Sequence, residues 1–168
     1  TEIFPKAVIM TRAKLGFLGM YNPDIGVTPF ERFYLGGDGL SGYNNLDGRE
    51  IIGMRGYRNE TITPDYFLNK NIGGTIYTKY TLELRYPLSL NPSATIFALG
   101  FLEGGNSWAG FSDFNPFAIY RSAGFGLRVF LPMIGLLGLD WGYGFDPVRG
   151  IPSANGSQFH FSINSSID

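Results

Sequence analysis

The chain has 168 residues, a net charge of −1, 24 glycines and no cysteine, and aromatic residues are as frequent as charged ones, each at 16 %. Typical domains carry roughly 25 % charged residues and about 7 % glycine, so this composition favours a sheet whose outer face contacts something other than water. The near-neutral charge argues against nucleic acid as a partner. The absence of cysteine excludes disulfides and thiolate metal sites, and one histidine cannot form a three-histidine zinc site.

Alternating side chains predict the secondary structure, because successive residues of a strand point to opposite faces. The first predicted strand is 7–19, where apolar residues alternate with Arg12, Lys14 and Gly16. A connection over 21–71 follows it. The second strand, 74–88, has the cleanest alternation, and one of its faces receives Ile76, Tyr80, Leu82, Leu84, Tyr86 and Leu88. The opposite face receives Thr75, Tyr77, Lys79, Thr81, Glu83 and Arg85.

Four further strands are predicted toward the C-terminus. The segment 93–107 alternates weakly, whereas 122–131, 137–146 and 158–164 alternate clearly. Short turns such as Asn91-Pro92 alternate with long connections at 106–119 and 146–157. That alternation is typical of outer-membrane β-barrels. No stretch reaches the ~20 apolar residues of a transmembrane helix, so strands are the predicted membrane-spanning elements.

A soluble β-barrel or sandwich that acts as a binding module is the alternative, because its strands alternate too. In that interpretation the apolar side chains form a protein core and the polar face meets solvent. The polar face argues against it, since this face is rich in glycine and carries single charges of both signs rather than many Lys, Glu and Thr. Trp141 and Tyr143 also fit an interfacial aromatic girdle. The pattern therefore favours an antiparallel transmembrane β-barrel.

The connection 21–71 is unusually long, and structureless connections of that length tend to be functional. It contains Phe30-Glu31-Arg32-Phe33-Tyr34-Leu35-Gly36-Gly37 and, later, Gly53-Met54-Arg55-Gly56-Tyr57. Both motifs resemble those of the BamA family of outer-membrane protein assembly factors, within the bacterial surface antigen superfamily. The segments 82–87, 101–108, 121–128 and 159–163 resemble the strands that follow in that family, in the same order. The resemblance covers essentially the whole chain.

The resemblance implies that residues 1–168 are one incomplete domain, the C-terminal portion of a bacterial outer-membrane barrel. About six strands of a larger barrel, of about 16 strands, would then be present. Residues 21–71 would form a long loop that folds into the barrel lumen. Six strands cannot close an ordinary membrane barrel, so we expect the sheet to be open or completed by other strands.

The loop motif predicts a charged site. A loop inside the lumen would bring Arg55 near the acidic side chains of the polar faces, and a guanidinium can bind two carboxylates at once. Gly56 permits close backbone approach beside it, and Tyr57 offers a large anchor with a polar tip. The resemblance implies lumenal acids on the following strands as partners of Arg55, and by position these are Glu83 and Glu103. The alternative is that Arg55 is solvated in an extracellular loop.

The resemblance implies a non-enzymatic insertase that assembles β-barrel proteins into the outer membrane. Its expected partners are outer-membrane lipids, unfolded β-barrel substrate proteins and accessory subunits of the assembly machinery, with no cofactor, metal or catalytic residue. A lateral seam strand is expected at Gln158, Phe159, His160, Phe161, Ser162 and Ile163. A protein-secretion pore and a hydrolase-linked barrel of the same superfamily are the other functions that fit this resemblance.

Overall fold

The computed structural model describes residues 6–20, 30–38, 43–44, 48–64, 72–132 and 135–164. In these ranges the chain is all-β, and nine strands are present. Their bounds are β1 Val8–Phe17, β2 Phe33–Leu35, β3 Tyr43–Asn44, β4 Arg49–Ile52, β5 Ile76–Asn91, β6 Ala94–Trp108, β7 Tyr120–Leu131, β8 Gly135–Gly144 and β9 Ser157–Asn164. Within the same ranges, no helix has the length and hydropathy needed to cross a membrane.

The six long strands form one antiparallel sheet in the order β1-β5-β6-β7-β8-β9. The predicted all-β architecture with six antiparallel strands is therefore confirmed. The largest shift in bounds is at β5, which is predicted over 74–88 and observed over Ile76–Asn91, and β8 lies two residues earlier than the predicted 137–146. The sheet is open in the described residues, with β1 and β9 at its edges, as expected for a partial barrel.

The two faces of this sheet have opposite chemistry. Directly paired residues share a face, and the pairs Leu82↔Leu102, Leu102↔Ala123 and Ala123↔Tyr143 run across four strands on one face. This outer face is apolar and exposed. The other, inner face carries the buried Glu83 and Asp140. A soluble domain buries its apolar face and exposes its charges, so the outer face requires apolar surroundings that the described residues do not supply.

The long connection between β1 and β5 has regular structure of its own. Strands β2, β4 and β3 form a small sheet in that order, in which β2 pairs with β4 in parallel and β3 pairs with β4 antiparallel. Phe33 fixes it to the start of β5, because its amide and carbonyl both bond to Gly74, at 2.9 and 2.8 Å. The parts of 21–71 at 21–29, 39–42, 45–47 and 65–71 lie outside the described residues.

The hydrophobic core lies between this connection and the inner face of the large sheet. Its buried members are Phe33, Leu35, Ile52, Met54, Tyr57, Ile62, Tyr77, Val148 and Ala154. Tyr77 is the member from β5, and its ring packs against that of Phe33 with 4.6 Å between centroids. Val148 and Ala154 come from the connection between β8 and β9. Apolar packing thus holds the loop against the inner face and positions the segment that carries Arg55.

Candidate functional site: a buried arginine on the inner face

Arg55 stands at the tip of a tight turn that follows β4. The amide of Met54 donates to the carbonyl of Gly37 at 2.8 Å, and the amide of Gly37 donates to the carbonyl of Tyr57 at 2.9 Å. The turn is thus held on both sides of Arg55. The ammonium group of Lys79, on β5, donates to the carbonyl of Gly53 and fixes the start of the turn to the sheet. These bonds direct the Arg55 side chain toward β5, β6 and β8.

The guanidinium of Arg55 contacts three carboxylates from three strands. Its Nη2 atom lies 2.7 Å from Glu83 Oε1 and 2.7 Å from Glu103 Oε1, and its Nη1 atom lies 3.5 Å from Asp140 Oδ2. The backbone amide of Arg55 also donates to Glu103 Oε2 at 2.9 Å. The guanidinium carbon lies 3.7 Å from the centre of the Phe101 ring, within the range of a cation–π contact. Arg55 is therefore buried against three carboxylates and one aromatic ring.

Each of the three carboxylates has a second cation on the sheet. The pairs are Glu103 with Lys79 at 3.1 Å, Glu83 with Arg85 at 2.7 Å, and Asp140 with Arg128 at 2.6 Å. Four cations and three carboxylates alternate in one network, so no charge in it is left without an opposite neighbour. An unpaired buried charge would cost several kcal/mol. The network therefore requires the loop and the strands to be present together.

The charge of Arg55 is fixed by this environment. Burial alone would lower the pKa of the Arg55 guanidinium, but the attraction of Glu103, Asp140 and Glu83 outweighs it. The net effect raises the pKa of Arg55 above its ordinary value. Arg55 therefore stays a cation and acts as an electrostatic anchor at every pH at which proteins fold.

Gly56 is needed where the loop touches β8. Its φ is +88°, in the left-handed region. A Cβ at this position would lie 2.8 Å from the amide nitrogen of Gly144, and a Cβ on Gly142 would lie 2.8 Å from the amide nitrogen of Gly56. Loop and strand thus approach backbone to backbone, which side chains on either of these strand residues would prevent. The glycines of the polar face, a signal visible in the sequence, make room for the loop.

Tyr57 connects the loop to β7 and to the connection after β8. Its hydroxyl donates to the carbonyl of Arg121 at 2.9 Å and accepts from the amide of Asp146 at 3.2 Å. Its ring packs edge-on against Tyr120, with 6.0 Å between centroids. Burial is the main cause that raises the pKa of Tyr57 to about 12. The residue therefore remains a neutral hydrogen-bonding anchor.

His160 links the predicted seam strand to the loop. It lies buried on the inner face of β9, opposite Asp140, and its Nε2 atom accepts a hydrogen bond from the amide of Gly56 at 3.0 Å. The remaining predicted seam residues are Gln158 and Ser162, on the inner face with His160, and Phe159, Phe161 and Ile163, exposed on the outer face. The structure therefore brings one of the six predicted seam residues into contact with the loop motif.

Sequence reasoning missed three parts of this site. The sequence analysis named Glu83 and Glu103, but not Asp140, as partners of Arg55, and it assigned neither the Phe101 ring nor the His160 acceptor to the loop. Lumenal orientation was the available signal for all three, since each lies at an inward position of its strand. Across the described ranges, no group of three or more His, Cys, Asp or Glu side chains is arranged to hold a metal ion.

A polar cavity of about 300 Å³ opens beside the charge network. Its lining includes the Arg55 network and, from β1, Arg12 and Lys14. Pockets for small organic ligands are mostly apolar, so a space lined by charges suits water or a polar polypeptide better. The arrangement as a whole holds a loop in place and offers a charged inner surface.

The comparisons with known proteins agree with this architecture. Residues 2–167 of the chain match the family model of the Omp85 superfamily domain. A search of curated proteins found no match. Proteins of the Omp85 superfamily are outer-membrane β-barrels, and they generally act as insertases or transporters rather than as enzymes. Because the match spans almost every residue of an all-β chain with an apolar outer face, the chain belongs to the Omp85 superfamily.

Proposed function

We propose that this chain is the C-terminal part of the barrel of a BamA-type assembly factor, which inserts β-barrel proteins into the outer membrane. Superfamily membership, the loop motif held on the inner face and the open edge at β9 support this proposal. The partners it requires are lipids around the outer face, unfolded β-barrel substrates at the edge, and accessory subunits of the assembly machinery. The function is mechanical and uses no cofactor.

The edge strand β9 is the observation that carries the proposal. It pairs with β8 over eight residues, from Leu136↔Asn164 to Tyr143↔Ser157, and its other edge has no strand partner in the described residues. Unpaired backbone groups in hydrocarbon cost several kcal/mol each. The free edge of β9 therefore has to pair with another strand, either from the same barrel or from a substrate. Exchange between these two partners is the proposed insertion step.

The Arg55 network holds the central strands more firmly than the edge strand β9. Glu83, Glu103 and Asp140 place β5, β6 and β8 in direct contact with Arg55, while Tyr57 holds β7. The contact from β9 is the neutral hydrogen bond to His160. A neutral hydrogen bond contributes about 1 kcal/mol, against about 1.5–3 kcal/mol for one to a charged group. The loop therefore holds the edge strand less firmly than it holds the neighbouring strands.

Disulfide trapping tests the proposal directly. Ser162→Cys on β9 is compared with Thr81→Cys, an inner-face position on β5, which has a strand on both sides. Each is placed in the full-length protein and expressed with a substrate barrel that has one cysteine in its last strand. We expect a mixed disulfide with Ser162→Cys and none with Thr81→Cys. A substrate that assembles normally without any disulfide to β9 would contradict the proposal.

Depletion distinguishes the insertase from the secretion pore. Loss of an insertase lowers the amount of many β-barrel proteins in the outer membrane. Loss of a secretion pore leaves those amounts unchanged and causes one exported protein to accumulate in the periplasm. Quantifying both protein sets in depleted cells therefore separates the two functions, and unchanged outer-membrane barrels would favour the pore.

Hydrogen exchange measures the mobility that the mechanism requires. We expect amides of 157–164 to exchange faster than those of 76–85, which have strands on both sides. Residues 122–131, between β6 and β8, serve as a second central reference. Equal protection of 157–164 and 76–85 in the full-length protein would show a firmly paired edge and would count against lateral exchange.

A further inference from the structure

The outer face changes from exposed to buried at the end of the sheet where β1 ends and β5 begins. Along β5 the outward residues Leu84, Leu82 and Tyr80 are exposed, Leu84 at 49 %, whereas the next outward residues, Thr78 and Ile76, are buried, Ile76 at 1 %. Trp108, which pairs with Ile76 on the same face, is buried as well. Protein atoms therefore cover this end of a face that is otherwise bare.

Residues 109–119, the connection between β6 and β7, contact the outer face at this end. The Phe111 ring lies 6.3 Å from that of Phe17, and the Phe114 ring lies 5.0 Å from that of Trp108. Ile119 also packs on this face, since its Cδ1 atom lies 2.7 Å from where a Cβ on Gly104 would be. By strand pairing, the three contacted sheet positions belong to the outer face. We call residues 109–119 the outer segment.

The outer segment presents apolar rings away from the protein. Phe111 is 69 % exposed and Phe117 is 90 % exposed, and Asp113 is the only charged residue of the segment. Moving one such ring out of water is favourable by roughly 1.5–3 kcal/mol. Local bonds give the backbone order without a strand, such as Ala118 N to Asn115 O at 3.0 Å. The segment is therefore a compact, nearly uncharged surface with two projecting rings.

We propose that the outer segment is embedded in the membrane, with Phe111 and Phe117 inserted among the lipid acyl chains beside the barrel. Its position continues the exposed apolar band of the outer face, so the same hydrocarbon that surrounds the band meets the two rings. Aromatic side chains concentrate at the interfacial ends of membrane barrels. This inference rests on the Omp85 membership and the outer face, and it is independent of the insertase proposal.

The polar groups next to the outer segment fix its depth. Arg121 begins the outward positions of β7 and pairs with Asp146 at 2.8 Å, with the Arg121 side chain largely exposed. A hydrated ion pair belongs at the headgroup level rather than among acyl chains. Tyr143 and Phe145, whose ring centroids are 5.7 Å apart, lie at the same end of the outer face. Phe114 contacts Trp108, which lies four residues beyond Gly104, the partner of Arg121, toward the end of the sheet, so the rings of the outer segment would enter the lipid at the level of this polar rim.

Spin labelling in vesicles tests the location, because the absence of cysteine from this chain allows single labels. The label is attached to Phe117→Cys in the full-length protein, cleared of any other cysteine and reconstituted into phospholipid vesicles. Collisions with oxygen, which concentrates in the hydrocarbon, are compared with collisions with a water-soluble nickel chelate. Leu84→Cys is the lipid-facing reference, and Pro152→Cys, exposed in the connection before β9, is the aqueous reference.

We expect the label at Phe117→Cys to favour oxygen over the chelate, as at Leu84→Cys, and the label at Pro152→Cys to show the reverse. Phe111→Cys repeats the measurement at the second ring, so that poor folding of one variant leaves the test intact. A label that collides mainly with the nickel chelate would overturn the proposal, because the segment would then lie in water. A label shielded from both reagents would also overturn it, because protein and not lipid would cover the rings.

Discussion

Replacing Arg55 by lysine keeps the positive charge and removes the planar fork. In the native site one nitrogen, Nη2, lies 2.7 Å from both Glu83 and Glu103, and the guanidinium stacks on Phe101. Because the lysine side chain is shorter, its ammonium can contact only one of these carboxylates, and it cannot stack on the ring. Losing one charge-assisted hydrogen bond, about 2 kcal/mol, and about 1 kcal/mol of cation–π energy destabilises the bound loop by about 3 kcal/mol. We therefore expect about a hundredfold more unbound loop.

Arg49→Lys is the matched control in the same connection. Arg49 also pairs with a carboxylate, Glu60 at 2.9 Å, and also lies over a ring, that of Tyr34 at 5.2 Å. Its side chain is 36 % exposed, so solvent screens the pair and we expect an effect below about 1 kcal/mol. The assay is protease cleavage of the connection in the full-length protein as urea is raised, while gel mobility reports an intact barrel. Equal cleavage midpoints for the two variants would refute the reasoning.

Three further outcomes follow from the same geometry. Gly56→Ala should destabilise the bound loop by about 2–4 kcal/mol through backbone strain and overlap, whereas Gly156→Ala, also at positive φ but in open space, should show the strain alone. Equal denaturation midpoints for Gly56→Ala and Gly156→Ala would contradict the predicted overlap at Gly56. Leu84→Arg should cost about 2–4 kcal/mol in vesicles if Leu84 faces the bilayer midplane, and a cost-free arginine would count against a lipid-facing position. Tyr57 should ionise near pH 12. The measurement is the phenolate absorbance that the unmodified protein gains near this pH and that Tyr57→Phe lacks. Because its folded pKa is raised, its stabilising effect is complete below pH 10 and is lost as the pH rises through 12, and ionisation near pH 10 would contradict its burial.

The six long strands could be predicted because only one face of each meets the loop and the lumen. The alternation of apolar and polar residues then indicates which face each side chain points to, as with the exposed Leu84 beside the buried Glu83. The small sheet could not be predicted in this way. Phe33, Tyr34 and Leu35 are all buried, so β2 carries no alternation, and its three residues are too few to separate a strand from an apolar stretch of loop.

The candidate site was predictable in its members and less so in its contacts. Alternation placed Glu83 on a polar face, and the resemblance paired Glu83 and Glu103 with Arg55 of the loop motif. The contacts depend on the register between strands that are far apart in sequence. A shift of two residues keeps every side chain on the same face, so alternation does not determine this register. The stacking on Phe101 depends further on rotamers. The outer segment was predicted only as a long connection, because its position on the outside leaves no periodic signal.

The Arg55 network also constrains the order in which the protein folds. The guanidinium meets partners that are 28, 48 and 85 residues away along the chain, and contacts across such separations form late. The loop can therefore make its complete set of contacts only once β5, β6 and β8 have paired. A shift of β8 by one residue would turn Asp140 to the lipid side and leave Arg55 without one of its partners. A wrongly paired sheet would thus bind the loop less well and would leave the connection more open to proteases.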